Sequence, residues 1–137
     1  MGRINWGRVL LCGIVAGVVW TVLSAVVTAL VGHDFVAAVP GNRLSAPSVS
    51  LVAFLLIVNL FAGTWAMWLY AAIRPRYGAG PKTAVVVGIS WWVIGSLLDA
   101  TWGSFGFVPV TALWPAMAAS LPAIILAAVA GAWLYKE

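Results

Sequence analysis

The sequence predicts an all-α integral membrane protein, a single bundle of four transmembrane helices. Three observations predict it. The 137-residue chain is 64% hydrophobic and only 7% charged, whereas soluble domains average about 45–50% apolar and about 25% charged. A soluble domain of this size keeps too much exposed surface to hide that much apolar side chain. Four segments approach the ~20 apolar residues that a membrane span needs, and turn residues separate them. The cationic side chains also fall almost entirely on one side of the implied topology.

The spans are placed at about residues 8–31, 49–73, 83–101 and 111–135, in one domain covering 1–137. The first follows a short basic start, Met1 to Arg8, and is longer than the 7–15 apolar residues of a secretory signal core. It is expected to be a signal anchor. The first loop, Gly32 to Ser48, carries His33, Asp34, Pro40, Gly41, Asn42, Arg43 and Pro47, all turn or interface residues. The second break, Arg74 to Lys82, holds Pro75, Gly78, Gly80 and Pro81 and is expected to stop span two at Pro75. The third, Gly103 to Val110, is short, so spans three and four should be antiparallel neighbours.

With both termini on the cytoplasmic side, Arg3, Arg8, Arg74, Arg76, Lys82 and Lys136 lie together and only Arg43 lies opposite. This is the positive-inside pattern, and it argues against a dual-topology transporter, which needs a near-zero bias. The basic loop of Arg74, Arg76 and Lys82 would anchor the chain, dock anionic lipid heads or meet a partner protein. The scattered charges lack the basic stripe that nucleic acid requires. Trp6, Trp68, Tyr70, Tyr77, Trp133 and Tyr135 near the inner interface, with Trp102 and Trp114 near the outer one, form an aromatic belt. Trp68-Leu-Tyr70 and Trp133-Leu-Tyr135 recur at the ends of spans two and four. Two parallel helical hairpins, or anchoring at two equivalent interfaces, would each produce that recurrence.

Small residues drive close helix packing in lipid. Span one offers Gly13, Gly17, Thr21 and Ala25 at four-residue spacing. Span two offers Gly63 and Ala66, span three Gly88 and Gly95, and span four Ala127, Ala130 and Gly131. These stripes are expected to pack within the bundle or against another subunit.

Intramembrane polar side chains are costly and therefore informative. Ser24, Asn59, Asp99 and Ser120 all fall roughly 22–24 Å from the cytoplasmic ends of their spans. They are expected to form one polar layer, either a proton, ion or ligand site or a clasp that fixes helix register. Trp20, Trp65, Trp91 and Trp92 lie roughly 12–18 Å deep, placed to fill the core or to line an apolar pocket for a lipid, quinone or pigment. Pro115 and Pro122 are expected to kink span four or free carbonyls near the polar layer. His33 and Asp34 could touch a pigment or ligand, but one histidine makes no metal site. No metal is expected. Bound lipid is, with quinone or pigment as further candidates. Cys12 has no partner for a disulfide.

The stretch from Asn59 to Ala84 contains Trp68-Leu-Tyr-Ala-Ala-Ile-Arg-Pro-Arg76 before Gly80-Pro-Lys-Thr83. It resembles a group of small uncharacterised bacterial four-span membrane proteins, as does the ending Ala130-Gly-Ala-Trp-Leu-Tyr-Lys136. The resemblance implies a multi-pass protein of the bacterial inner membrane with the same basic loop, and it implies no activity. Fluoride channels and small multidrug exporters share the size, but an intramembrane glutamate in span one and a phenylalanine box are both absent. No nucleophile–base pair or paired carboxylates point to an enzyme. The expected role is a non-enzymatic accessory subunit of a homo-oligomer or of a larger membrane complex, respiratory or photosynthetic. A small channel or transporter using the polar layer, and a lipid, quinone or pigment binder, are the alternatives.

Overall fold

The computed structural model describes residues 4–31, 37 and 48–135. The described chain forms four helices: α1 (Trp6–Val31), α2 (Val49–Tyr77), α3 (Pro81–Ser104) and α4 (Val110–Leu134). Each is long and apolar enough to cross a membrane, and the protein is a multi-pass membrane bundle.

Helix boundaries follow local chemistry, with one correction. Span two does not stop at Pro75. α2 runs through it to Tyr77 and ends at Gly78, whose φ of 86° closes the last turn as its N–H donates to the Arg74 carbonyl at 2.9 Å. Pro75 forfeits its own N–H and its ring crowds the Ala71 carbonyl, and the packing of Tyr70 and Ala71 against the core holds the backbone helical despite that cost. The start of α2 is capped by Ser48, whose hydroxyl accepts from the Leu51 amide at 3.2 Å, as an N-cap serine should. α3 opens on Pro81, where the missing N–H is one the helix would leave unbonded anyway. Pro115 and Pro122 both sit inside α4.

α1 packs along α2 and α4, and α3 packs along α4; α2 and α3 meet over much less of their length. The order around the bundle is therefore α2, α1, α4, α3, with an open seam between the two helices that the shortest linker joins. Spans three and four are neighbours, as their short loop implies.

Glycine sets the spacing of α1 and α2. A Cβ on Gly13 would collide with Thr64 backbone, and one on Gly17 would lie 2.6 Å from the Asn59 carbonyl oxygen. One on Gly63 would strike Gly13 and Gly17. Three glycines thus let two backbones touch, the arrangement that gives membrane helices their closest packing. Gly88 plays the same part between α3 and α4, where a Cβ would sit 2.8 Å from Ile125 Cα. Gly131 does so for α4, against the Cys12 carbonyl at 2.8 Å. Gly95 departs from expectation: nothing lies within 4 Å of a Cβ built there, so it spaces no helix pair among the described residues.

The main core cluster lies in the basic half of the bundle, where Val9, Cys12, Ala16, Met67, Tyr70, Val87, Ala132 and Tyr135 pack together, while Val108, Leu113 and Met117 are buried toward the other end of α4. In the far half it is α2 that stands apart. Every residue of α2 from Val49 to Val58 is exposed, and 11% of the most apolar stretch of α2 is buried, against 39% for α4.

Gly63→Ala is expected to lower the thermal unfolding midpoint in detergent by the equivalent of about 1–3 kcal/mol, the usual range for overpacking. Gly95→Ala should leave it unchanged or raise it, since alanine is the better helix former by about 1 kcal/mol. Equal shifts in the two variants would contradict the assigned packing.

Candidate functional site

The polar side chains at one depth do not assemble into one layer. Asn59 makes the cross-helix bond, its Nδ2 donating to Thr21 Oγ1 at 3.1 Å. The Thr21 hydroxyl in turn donates to the Gly17 carbonyl at 2.8 Å. This short chain runs beside the glycine contact and ties α2 to α1. Ser24 turns back to the Thr21 carbonyl at 3.0 Å, and Ser120 to the Met117 carbonyl at 2.8 Å. Such back-bonding satisfies a hydroxyl within its own helix. Asp99 is half-buried on α3. No hydrogen bond or ion pair joins it to Ser24, Asn59 or Ser120 among the described residues. The physical reason lies in the helix order. α1 and α3 stand on opposite sides of α4, and α2 meets α3 only sparsely, so equal depth does not bring the four side chains together.

The tryptophans divide in the same way. Trp20 and Trp91 meet with ring centroids 5.9 Å apart, inclined at 60°. Trp65 pairs instead with Trp68 on its own helix, 4.8 Å away. Trp92 turns into α4, where its indole N–H donates to the Met117 carbonyl at 2.8 Å. That carbonyl, in the turn crowded by the Pro122 ring, also takes the Ser120 hydroxyl. Trp65 and Trp91 do face one feature together. They line a groove of about 400 Å³ along the α2–α3 seam, with Phe61, Leu69, Val87 and Ile94 among its other walls. The groove is apolar throughout, and Trp65 is 62% exposed on its rim.

A second cavity, of about 470 Å³, lies at the basic end between the last turns of α2 and α4 and the first turn of α3. Tyr70 and Tyr135 form its floor, with rings edge-on at 5.8 Å. The Arg74 guanidinium stands 5.5 Å over the Tyr135 ring, within cation–π range. The linker is pinned: the Gly80 N–H donates to the Tyr70 hydroxyl at 3.1 Å, and the Thr83 hydroxyl donates to the Gly78 carbonyl at 2.7 Å. Lys82 and Arg76 are exposed beside it.

His33 and Asp34 lie outside the described residues. Among the described residues no three His, Cys, Asp or Glu side chains gather where a metal ion could bind. Sequence reasoning placed Tyr70 and Tyr135 in an interfacial belt and Thr21 on a small-residue stripe. The recurrence of Trp-Leu-Tyr before two helix ends was the available signal that the tyrosines meet. In comparisons with family models, curated proteins and solved structures, nothing matches the chain.

The Thr21–Asn59 pair is expected to contribute about 0.6 kcal/mol, the average for interhelical bonds in a membrane bundle. A double-mutant cycle with Thr21→Val and Asn59→Leu, read by unfolding in mixed micelles, measures it. A coupling indistinguishable from zero would remove the bond from the account.

Proposed function

We propose that the protein is a non-enzymatic accessory subunit of the bacterial inner membrane, working as a homo-oligomer or beside other membrane subunits. One observation carries this reading: a well-packed basic half continues into a far half of α2 that is exposed on every side from Val49 to Val58. A helix that packs tightly over half its length, then stands apart, offers a second face to a neighbour. Phe54, Ile57 and Phe61 on that face are bulky and exposed, and side chains of this kind supply the van der Waals contact by which membrane helices associate.

A second reading rests on the α2–α3 groove. Its Trp65 and Trp91 walls and wholly apolar lining suit the isoprenoid or acyl tail of a quinone or lipid. The two readings are compatible, because bound lipid commonly fills seams between subunits. A channel or transporter built on Ser24, Asn59, Asp99 and Ser120 is less well supported, since those side chains do not converge.

Native mass spectrometry of protein gently extracted from its own membrane should give multiples of the 14.4 kDa chain or masses with added subunits. Phe54→Ala combined with Ile57→Ala should shift that distribution to monomer while leaving the unfolding midpoint within about 0.5 kcal/mol of the parent, as for surface changes generally. A monomer alone from the parent protein would overturn the proposal.

A further inference from the structure

The cavity at the basic end brings two tyrosine hydroxyls together with the first turn of α3. Tyr70 and Tyr135 are 2% and 5% exposed and both line it. The Tyr70 hydroxyl accepts from the Gly80 amide, which leaves its own proton to give. The Tyr135 hydroxyl makes no hydrogen bond among the described residues. Both phenols line the cavity, where a ligand oxygen can accept their protons. α3 begins at this cavity with no side-chain cap and no acidic residue in its first turn, and first-turn amides have no partner within their own helix.

Charge points the same way. Arg76 and Lys82 are exposed at either side of the linker, while the acidic side chain among the described residues, Asp99, lies near the other end of α3. The remaining walls are apolar: Ala84, Val129, Ala132 and Trp133. A site with donors and cations at its mouth and hydrocarbon along its side fits an anionic amphiphile, not a free anion or an apolar molecule.

We propose that this cavity binds the phosphate headgroup of an anionic phospholipid, with the first acyl carbons lying against Ala84 and Val129. The phosphate oxygens accept from the Tyr70 and Tyr135 hydroxyls, and Lys82 neutralises their charge. Juxtamembrane cations attract anionic lipid in general; here the cavity adds a fixed place and a hydroxyl pair.

The test is native mass spectrometry of the full chain from micelles holding equal amounts of phosphatidylglycerol and phosphatidylcholine. The parent protein should retain phosphatidylglycerol preferentially. Lys82→Gln should weaken that preference about five-fold, the effect of one juxtamembrane charge. Tyr135→Phe, which removes a single oxygen, should weaken it as well. Arg8→Gln, at the same end but off the cavity, should leave it intact. Equal retention of the two lipids would overturn the proposal. So would equal losses from Lys82→Gln and Arg8→Gln, which would mean diffuse surface charge, or full displacement of the lipid by soluble glycerol phosphate, which would mean a free-anion site. Circular dichroism checks that each variant is folded; should Lys82→Gln fail, Tyr135→Phe against Arg8→Gln decides the matter.

Discussion

The contact between the α1 and α2 backbones at Gly13, Gly17 and Gly63 governs the rest of the bundle. Helices in lipid gain nothing from hiding apolar surface, so they hold together only where surfaces fit closely. These glycines supply that fit, and the Asn59–Thr21 bond lies beside it. With α1 and α2 locked, Gly131 seats α4 against α1, and Gly88 seats α3 against α4. α3 is thus seated on α4 and meets α2 over little of its length, which is why their seam stays open even though three residues link them.

That geometry explains what was legible in the sequence. The four spans and the small-residue stripe of α1 depend on chemistry local to each segment, and the sequence showed them; the first loop, Gly32 to Ser48, lies almost wholly outside the described residues. Pro75 misled because the helix rule it breaks applies to interiors, and here tertiary packing of Tyr70 and Ala71 holds the final turn. The polar side chains misled for a different reason. Depth along a span can be counted from residue numbers, but which helices are neighbours, and how each is rotated, cannot. Ser24, Asn59, Asp99 and Ser120 share a depth without sharing a face. Gly95 carried a packing expectation on the same incomplete ground.

The sites that emerged are combinations of helix ends and helix order. The groove exists because α2 and α3 diverge, and it collects Trp65 and Trp91 from among four tryptophans of similar depth. The basic-end cavity exists because three helix ends converge around Tyr70 and Tyr135. In the sequence the two tyrosines stood out only through their shared Trp-Leu-Tyr ending, which anchoring at equivalent interfaces also produces. Both features borrow core side chains for their walls, Tyr70 and Tyr135 in the cavity and Val87 in the groove.

The central claim is that the far half of α2 faces another protein chain and not lipid alone. A photoreactive phenylalanine analogue placed at Phe54, with a second at Leu126 on α4 as the control, tests it in intact membranes. Both parent side chains are exposed, at 62% and 57%. The account predicts a discrete protein adduct from position 54 and only lipid adducts from position 126. Lipid adducts alone from both positions would contradict it.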